Sequence, residues 1–149
     1  MKRLFLSTIV AAMIFSASAQ SAQKITELLS AERITYADTS YFIAIQSGLA
    51  SDDISEAEAF DLLKENKFIK NKKVQSSDEI KIKDMSFLCV KAAEIKGGLL
   101  FRITKAPRYA LRELKAMNIV PNDTDPAAYV SGKEFINILS ECDSKKGGF

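Results

Sequence analysis

The densest run of groups able to grip an anion lies late in the chain. Arg102, Lys105, Arg108, Tyr109 and Arg112 fall within eleven residues, with Glu113 the one carboxylate close by. An arginine presents a planar fork that suits carboxylate, phosphate or pyruvyl groups, and a tyrosine offers a flat face for a sugar ring. Two readings stand: an anion- or polymer-binding surface, or a solvated linker whose arginines pair with acidic residues elsewhere in the chain. Catalytic chemistry is far more restricted. The 149 residues contain no histidine, which excludes Ser-His-Asp and Cys-His nucleophile systems, histidine-bound zinc and imidazole proton shuttles. Two cysteines are too few for a cysteine-rich zinc or iron-sulfur site. Asn122-Asp-Thr-Asp-Pro126 has the acidic flavour of a calcium loop but lacks the glycine and the distant glutamate of one, and reads as a polar turn. Asp52-Asp53 would serve a carboxylate-based hydrolase only if a deep cleft brought two carboxyl groups together; as first-turn charges before Ser55 they need no such role. The expectation is a protein that is not an enzyme and has neither metal nor cofactor.

The elements that position these residues repeat. Segments starting at Arg33, Glu79 and Tyr129 superimpose without gaps, their starts 46 and 50 residues apart, a spacing typical of repeated structural units. Each carries a β-branched apolar residue (Ile34, Ile80, Val130), then a carboxylate (Asp38, Asp84, Glu134), then an apolar run of helical period. Thr35-x-x-Asp38 and Ser131-x-x-Glu134 are capping boxes, in which hydroxyl and carboxylate each satisfy a backbone N–H at the helix start. The middle copy has Lys81 at the hydroxyl position and needs another cap, with Ser77 and Asp78 the nearest candidates. A shorter helical element precedes the later copies, Ala59–Asn71 matching Ala110–Asn122 at an offset of 51, and Ile25–Leu29 is a truncated counterpart before the first. The unit is therefore short helix, loop, longer helix. The expected fold is all-α: three degenerate helix-loop-helix repeats packed around a three-helix core.

This pattern resembles the S-layer homology domain, whose hallmark is Ile-Thr-Arg-Ala-Glu. The likeness runs from about Ile34 to Cys142 and is closest over Tyr109–Cys142. It implies three repeats packed as a pseudo-threefold prism in a module that holds secreted proteins to anionic wall polysaccharide, with the motif arginine among the ligand contacts. The sequence departs at that arginine, whose position is held by Tyr36, Ile82 and Gly132.

Residues 1–19 read as an export signal. Lys2 and Arg3 precede an apolar stretch from Leu4 to Ser16, and Ala17-Ser18-Ala19 gives the small-x-small cleavage pattern. An apolar run of about 13 residues is short of the roughly 20 that span a bilayer, so no stable membrane span is expected after cleavage. Residues 20–143 then form one domain, with a flexible tail over 144–149. Without Lys2 and Arg3 the chain is formally neutral, so its net charge of +2 does not suggest nucleic acid. The charge is unevenly spread: residues 20–63 hold two basic and eight acidic residues, whereas 64–115 hold fourteen basic and six acidic. Either the middle segment binds an anionic partner or the two parts neutralise each other. Cys89 and Cys142 lie on the apolar stripes of their helices, which leaves open a disulfide, favoured by export, or two buried free thiols. The functional expectation is an exported binding or structural module in the periplasm or at the cell surface, its partner a cell-wall polysaccharide or an envelope protein. A protein-interaction adaptor that has lost polymer binding is the alternative.

Overall fold

A computed structural model describes residues 22–146. The expected export signal and the last three residues of the expected tail lie outside them. The described residues form an all-α fold: α1 over 22–30, α2 Tyr36–Gln46, α3 Glu56–Glu65, α4 Ile82–Ala92, α5 Leu99–Thr104, α6 Pro107–Ala116 and α7 Gly132–Ser144. The only β-type pairings among them are two isolated antiparallel bridges, Thr35 with Glu79 and Lys81 with Tyr129.

These bridges lie where the repeated segments meet. Ile34, Ile80 and Val130 are fully buried. Ile80 N–H donates to the Ile34 carbonyl and Ile34 N–H to the Val130 carbonyl, both at 3.0 Å. One step later Tyr36 N–H donates to Asp78, Ile82 N–H to Ala128 and Gly132 N–H to Ala31, at 2.9, 2.9 and 3.0 Å. The first residue of each long helix thus gives an N–H that its own helix cannot use to the chain ahead of another long helix, in a circuit running from first to second, second to third and third back to first. Long-range backbone bonds of this kind satisfy buried polar groups that would otherwise carry a full desolvation penalty.

Helix starts follow the local chemistry. Asp38 N–H donates to the Thr35 hydroxyl while the Asp38 carboxylate accepts from Thr35 N–H at 2.8 Å, and Ser55 with Glu58 and Ser131 with Glu134 make the same reciprocal pair. Asp84 does not belong with these capping residues. Lys81 offers no acceptor, so α4 begins without a side-chain cap, and Ile82 N–H is satisfied by Ala128 from a neighbouring segment. Asp78 is engaged elsewhere, its carboxylate accepting from Gln75 N–H. Pro107 opens α6, where its missing N–H does no harm. α3 and α6 end at the same place in the alignment, with Lys67 and Asn118 both left-handed at φ 58° and 57°. α7 runs to Ser144, and the turn that closes it takes in Lys145 and Lys146.

α4 is the central helix, packing against α2, α6 and α7, while α3 covers α2. Phe135 of α7 is fully buried and meets Phe42 of α2 edge-on at 6.1 Å. α5 stands outside the repeat unit. The short-helix partners of the long helices are α1, α3 and α6, and α5 is an addition between α4 and α6. It is attached by Phe101, which turns inward and meets Phe87 of α4 edge-on at 6.2 Å.

Candidate functional site

The gap between the end of α3, the outer face of α4 and α5 is a groove of about 690 Å³. Phe87, Val90, Ile95 and Phe101 form its apolar floor, and six cations line it: Lys67, Lys70, Lys91, Lys96, Arg102 and Lys105. Glu94 is the one carboxylate in the lining. Local structure places these cations. Lys67 occupies the left-handed position that ends α3, and Lys105 the left-handed position that ends α5 at φ 46°. Lys91 on α4 donates to the Asn66 carbonyl at 2.8 Å, where a cation complements the negative end of α3, and its ammonium sits 3.9 Å from the Phe68 ring centre. Lys70 donates to the Lys105 carbonyl and lies 4.9 Å from the Phe87 ring centre.

The groove carries a net positive field that the fold does not cancel. Two ion pairs occur among the described residues, Lys24 with Glu56 and Arg33 with Glu79, and neither involves a groove cation. Burial pulls the Lys91 ammonium below its ordinary pKa, and the like charges of Lys70, Lys105 and Lys67 pull it further. Lys70 is lowered in the same way, by burial and then by Lys105. Cations that repel one another at the rim of an apolar floor would be relieved of that repulsion by a nearby anion. Among the described residues, the acidic first third makes no ion pair with the basic middle third apart from Arg33 with Glu79, in which the signs are reversed.

Of the five residues singled out by linear clustering, Arg102 and Lys105 line the groove. Arg108, Tyr109 and Arg112 lie on α6, where the two guanidinium groups sit 5.3 and 5.8 Å from the Tyr109 ring centre. Both arginines are exposed. Lys67, Lys70, Lys91 and Lys96 complete the groove from up to 38 residues upstream of Lys105. The excess of positive charge over residues 64–115 is their trace in the sequence.

No family model matches the chain, and neither a curated protein nor a solved structure matches it significantly.

The positions that align with the motif arginine are closed off from solvent. Tyr36, Ile82 and Gly132 are all buried. Tyr36 meets Phe60 edge-on at 6.3 Å, and its hydroxyl lies against the Asp84 carboxylate. Burial first, and Asp84 second, push the Tyr36 hydroxyl up, so it stays protonated beside that carboxylate. Asp84, released from capping by Lys81, is itself raised by burial, against the opposing pull of Lys83, the Tyr36 hydroxyl and Lys81. A carboxyl whose folded pKa exceeds its unfolded value favours the fold fully below the unfolded pKa, and that contribution is lost as pH rises through the folded one. Asp84→Asn keeps an acceptor for Tyr36 and removes the desolvated charge. The variant is expected to melt a few degrees higher than the wild type at pH 7 and to lose the gain in stability that the wild type shows as pH falls towards about 4. Thermal melts from pH 4 to 7 measure this, and a lower melting temperature for the variant at pH 7 would show that the charge itself is needed.

The second group of carboxylates lines a shallow face beside α3, formed by Asp53, Glu58, Asp61 and Glu65 around Ala50, Ile54 and Leu62. Glu58 is committed there to capping Ser55, whose hydrogen bonds hold its carboxyl below the ordinary range. Among the described residues neither these carboxylates nor any other three His, Cys, Asp or Glu side chains converge closely enough to hold a metal ion. Cys89 and Cys142 are free thiols, both fully buried and next to each other between α4 and α7.

Proposed function

We propose that this protein is an exported, non-enzymatic binding module of the cell envelope, built from three degenerate repeats of the S-layer homology type, which holds an anionic envelope polymer in the groove between α3, α4 and α5. The observation that carries the reading is the set of six cations around an apolar floor with a single carboxylate among them. The circuit of backbone hydrogen bonds donated by Tyr36, Ile82 and Gly132 supports the repeat arrangement, and burial of those three residues moves the ligand away from the motif positions. A polyanion fits because its repeated charges can reach several cations at once, and the apolar floor accommodates the face of a sugar ring.

The test is co-sedimentation of residues 20–149 with isolated cell-wall sacculi over a salt series. The comparison variant is Lys70→Gln, Arg102→Gln, Lys105→Asn, in which asparagine tolerates the left-handed backbone at position 105. Binding by the wild type that weakens with salt, and a loss of on the order of tenfold or more in the variant, is the expected result. Folded wild-type protein that stays in the supernatant at low salt would refute polymer binding and favour the adaptor reading.

A further inference from the structure

The helix that the repeat pattern does not account for carries the largest exposed apolar surface. Leu99, Leu100 and Ile103 of α5 are 71, 51 and 71 % exposed, whereas the remaining exposed large apolar residues, Ile25, Leu29, Leu49 and Tyr129, lie on other elements. A helix advances 100° per residue, so with Phe101 turned into the protein these three residues share the opposite face. Arg102 falls on the flank of that face towards the groove, and Lys96 and Lys105 bracket the helix on the same groove. An apolar ridge in water is unfavourable and marks a contact surface. Its neighbours decide which kind.

We propose that α5 docks the protein on an anionic lipid surface, with Leu99, Leu100 and Ile103 entering the boundary between headgroups and acyl chains while Lys96, Arg102 and Lys105 meet the phosphates. Apolar side chains on one face beside cations that no carboxylate pairs are the arrangement by which short amphipathic helices hold to charged membranes, each part being too weak alone. No helix among the described residues is long and apolar enough to cross a membrane, so the attachment is peripheral. Gly97 and Gly98 allow the helix to sit as it does. Gly97 has a left-handed φ of 61°, and a side chain there would meet the Phe101 ring at 2.8 Å. The inference shares Lys96, Arg102 and Lys105 with polymer capture but adds the outer apolar face of α5, which that reading does not use.

Flotation of residues 20–149 with phosphatidylcholine vesicles, with and without phosphatidylglycerol, tests it beside the variant Leu99→Ser, Leu100→Ser, Ile103→Ser. All three positions are exposed, so the variant keeps the fold, which a thermal melt verifies. The wild type is expected to float only with phosphatidylglycerol, and the serine variant to bind on the order of tenfold to a hundredfold more weakly while still sedimenting with sacculi. No flotation of the folded wild type, or equal flotation of wild type and variant, would overturn the proposal even if sacculi are bound. So would a wild-type dimer that the serine variant abolishes, since the ridge would then be covered by a second copy of the chain.

Discussion

Replacing Gly132 by alanine is expected to destabilise the protein by about 2–3 kcal/mol and to lower its melting temperature by roughly 6–12 °C. The usual expectation for this change has the opposite sign, because alanine is the better residue inside a helix by roughly 0.5–1 kcal/mol. Gly132 is the first residue of α7. A β-carbon there would lie 1.7 Å from the Leu28 carbonyl oxygen and 2.5 Å from the Leu28 carbonyl carbon, which are backbone atoms that cannot rotate away. α1 would have to withdraw by more than an ångström. That movement exposes Leu28, a buried residue of α1, and breaks the bond from Gly132 N–H to the Ala31 carbonyl. The loss is confined to one edge of the fold, so the variant should keep its helical circular dichroism and gain protease sensitivity around residues 22–33. An unchanged or raised melting temperature would mean that α1 is not seated on α7.

Gly132 also shows why a repeat reading of the sequence reaches some features and not others. The capping boxes at Thr35 and Ser131 are local chemistry, decided within four residues, and they form at the places where the pattern puts them. The β-branched residues ahead of them share one environment and become the buried crossing at Ile34, Ile80 and Val130. At positions 36, 82 and 132 the three copies diverge because each long helix starts against a different neighbour. Tyr36 has Phe60 and Asp84, whereas Gly132 has the backbone of α1. Those neighbours are distant in sequence, so no local signal announces them. Asp84 is the same lesson in reverse: it keeps the alignment of a capping carboxylate, but with Lys81 in place of a hydroxyl it turns to Tyr36.

The groove was legible only in part for a similar reason. Arg102 and Lys105 sit in a visible run of cations, but Lys67, Lys70 and Lys91 join them because α4 packs between its neighbours and α3 ends beside it. α5 itself was unreadable as a helix. It spans six residues between Gly98 and Lys105, too few for a period to show, and three of its four apolar residues point outward against the usual rule. Acidic and basic thirds of opposite charge left two readings, mutual neutralisation or an anionic partner for the middle third. The ion pairs do not follow that division, and the groove keeps its charge.

Protein recovered after export is expected to carry a disulfide between Cys89 and Cys142, whereas protein made in a reducing cytosol without residues 1–19 should carry two thiols. The two side chains are neighbours, one on α4 and one on α7, and both are fully buried. Bridging them closes a loop of about 54 residues, which in the chain-entropy view stabilises by roughly 4 kcal/mol, or about 12–16 °C in melting temperature. Burial, together with the adjacent Cys142, pushes the Cys89 thiol well up from its ordinary range, so little thiolate exists once the fold has closed. Exchange needs the thiolate, and the bond must therefore form before or during burial. Reduced folded protein should accordingly resist added oxidant for hours while the same oxidant acts quickly during refolding. Intact mass without reductant, about 2 Da lower for the exported form, and thiol titration in denaturant measure the state directly. Two titratable thiols in exported protein would show that these cysteines serve as small apolar packing between α4 and α7, and Cys142→Ala would then lower the melting temperature of both forms equally.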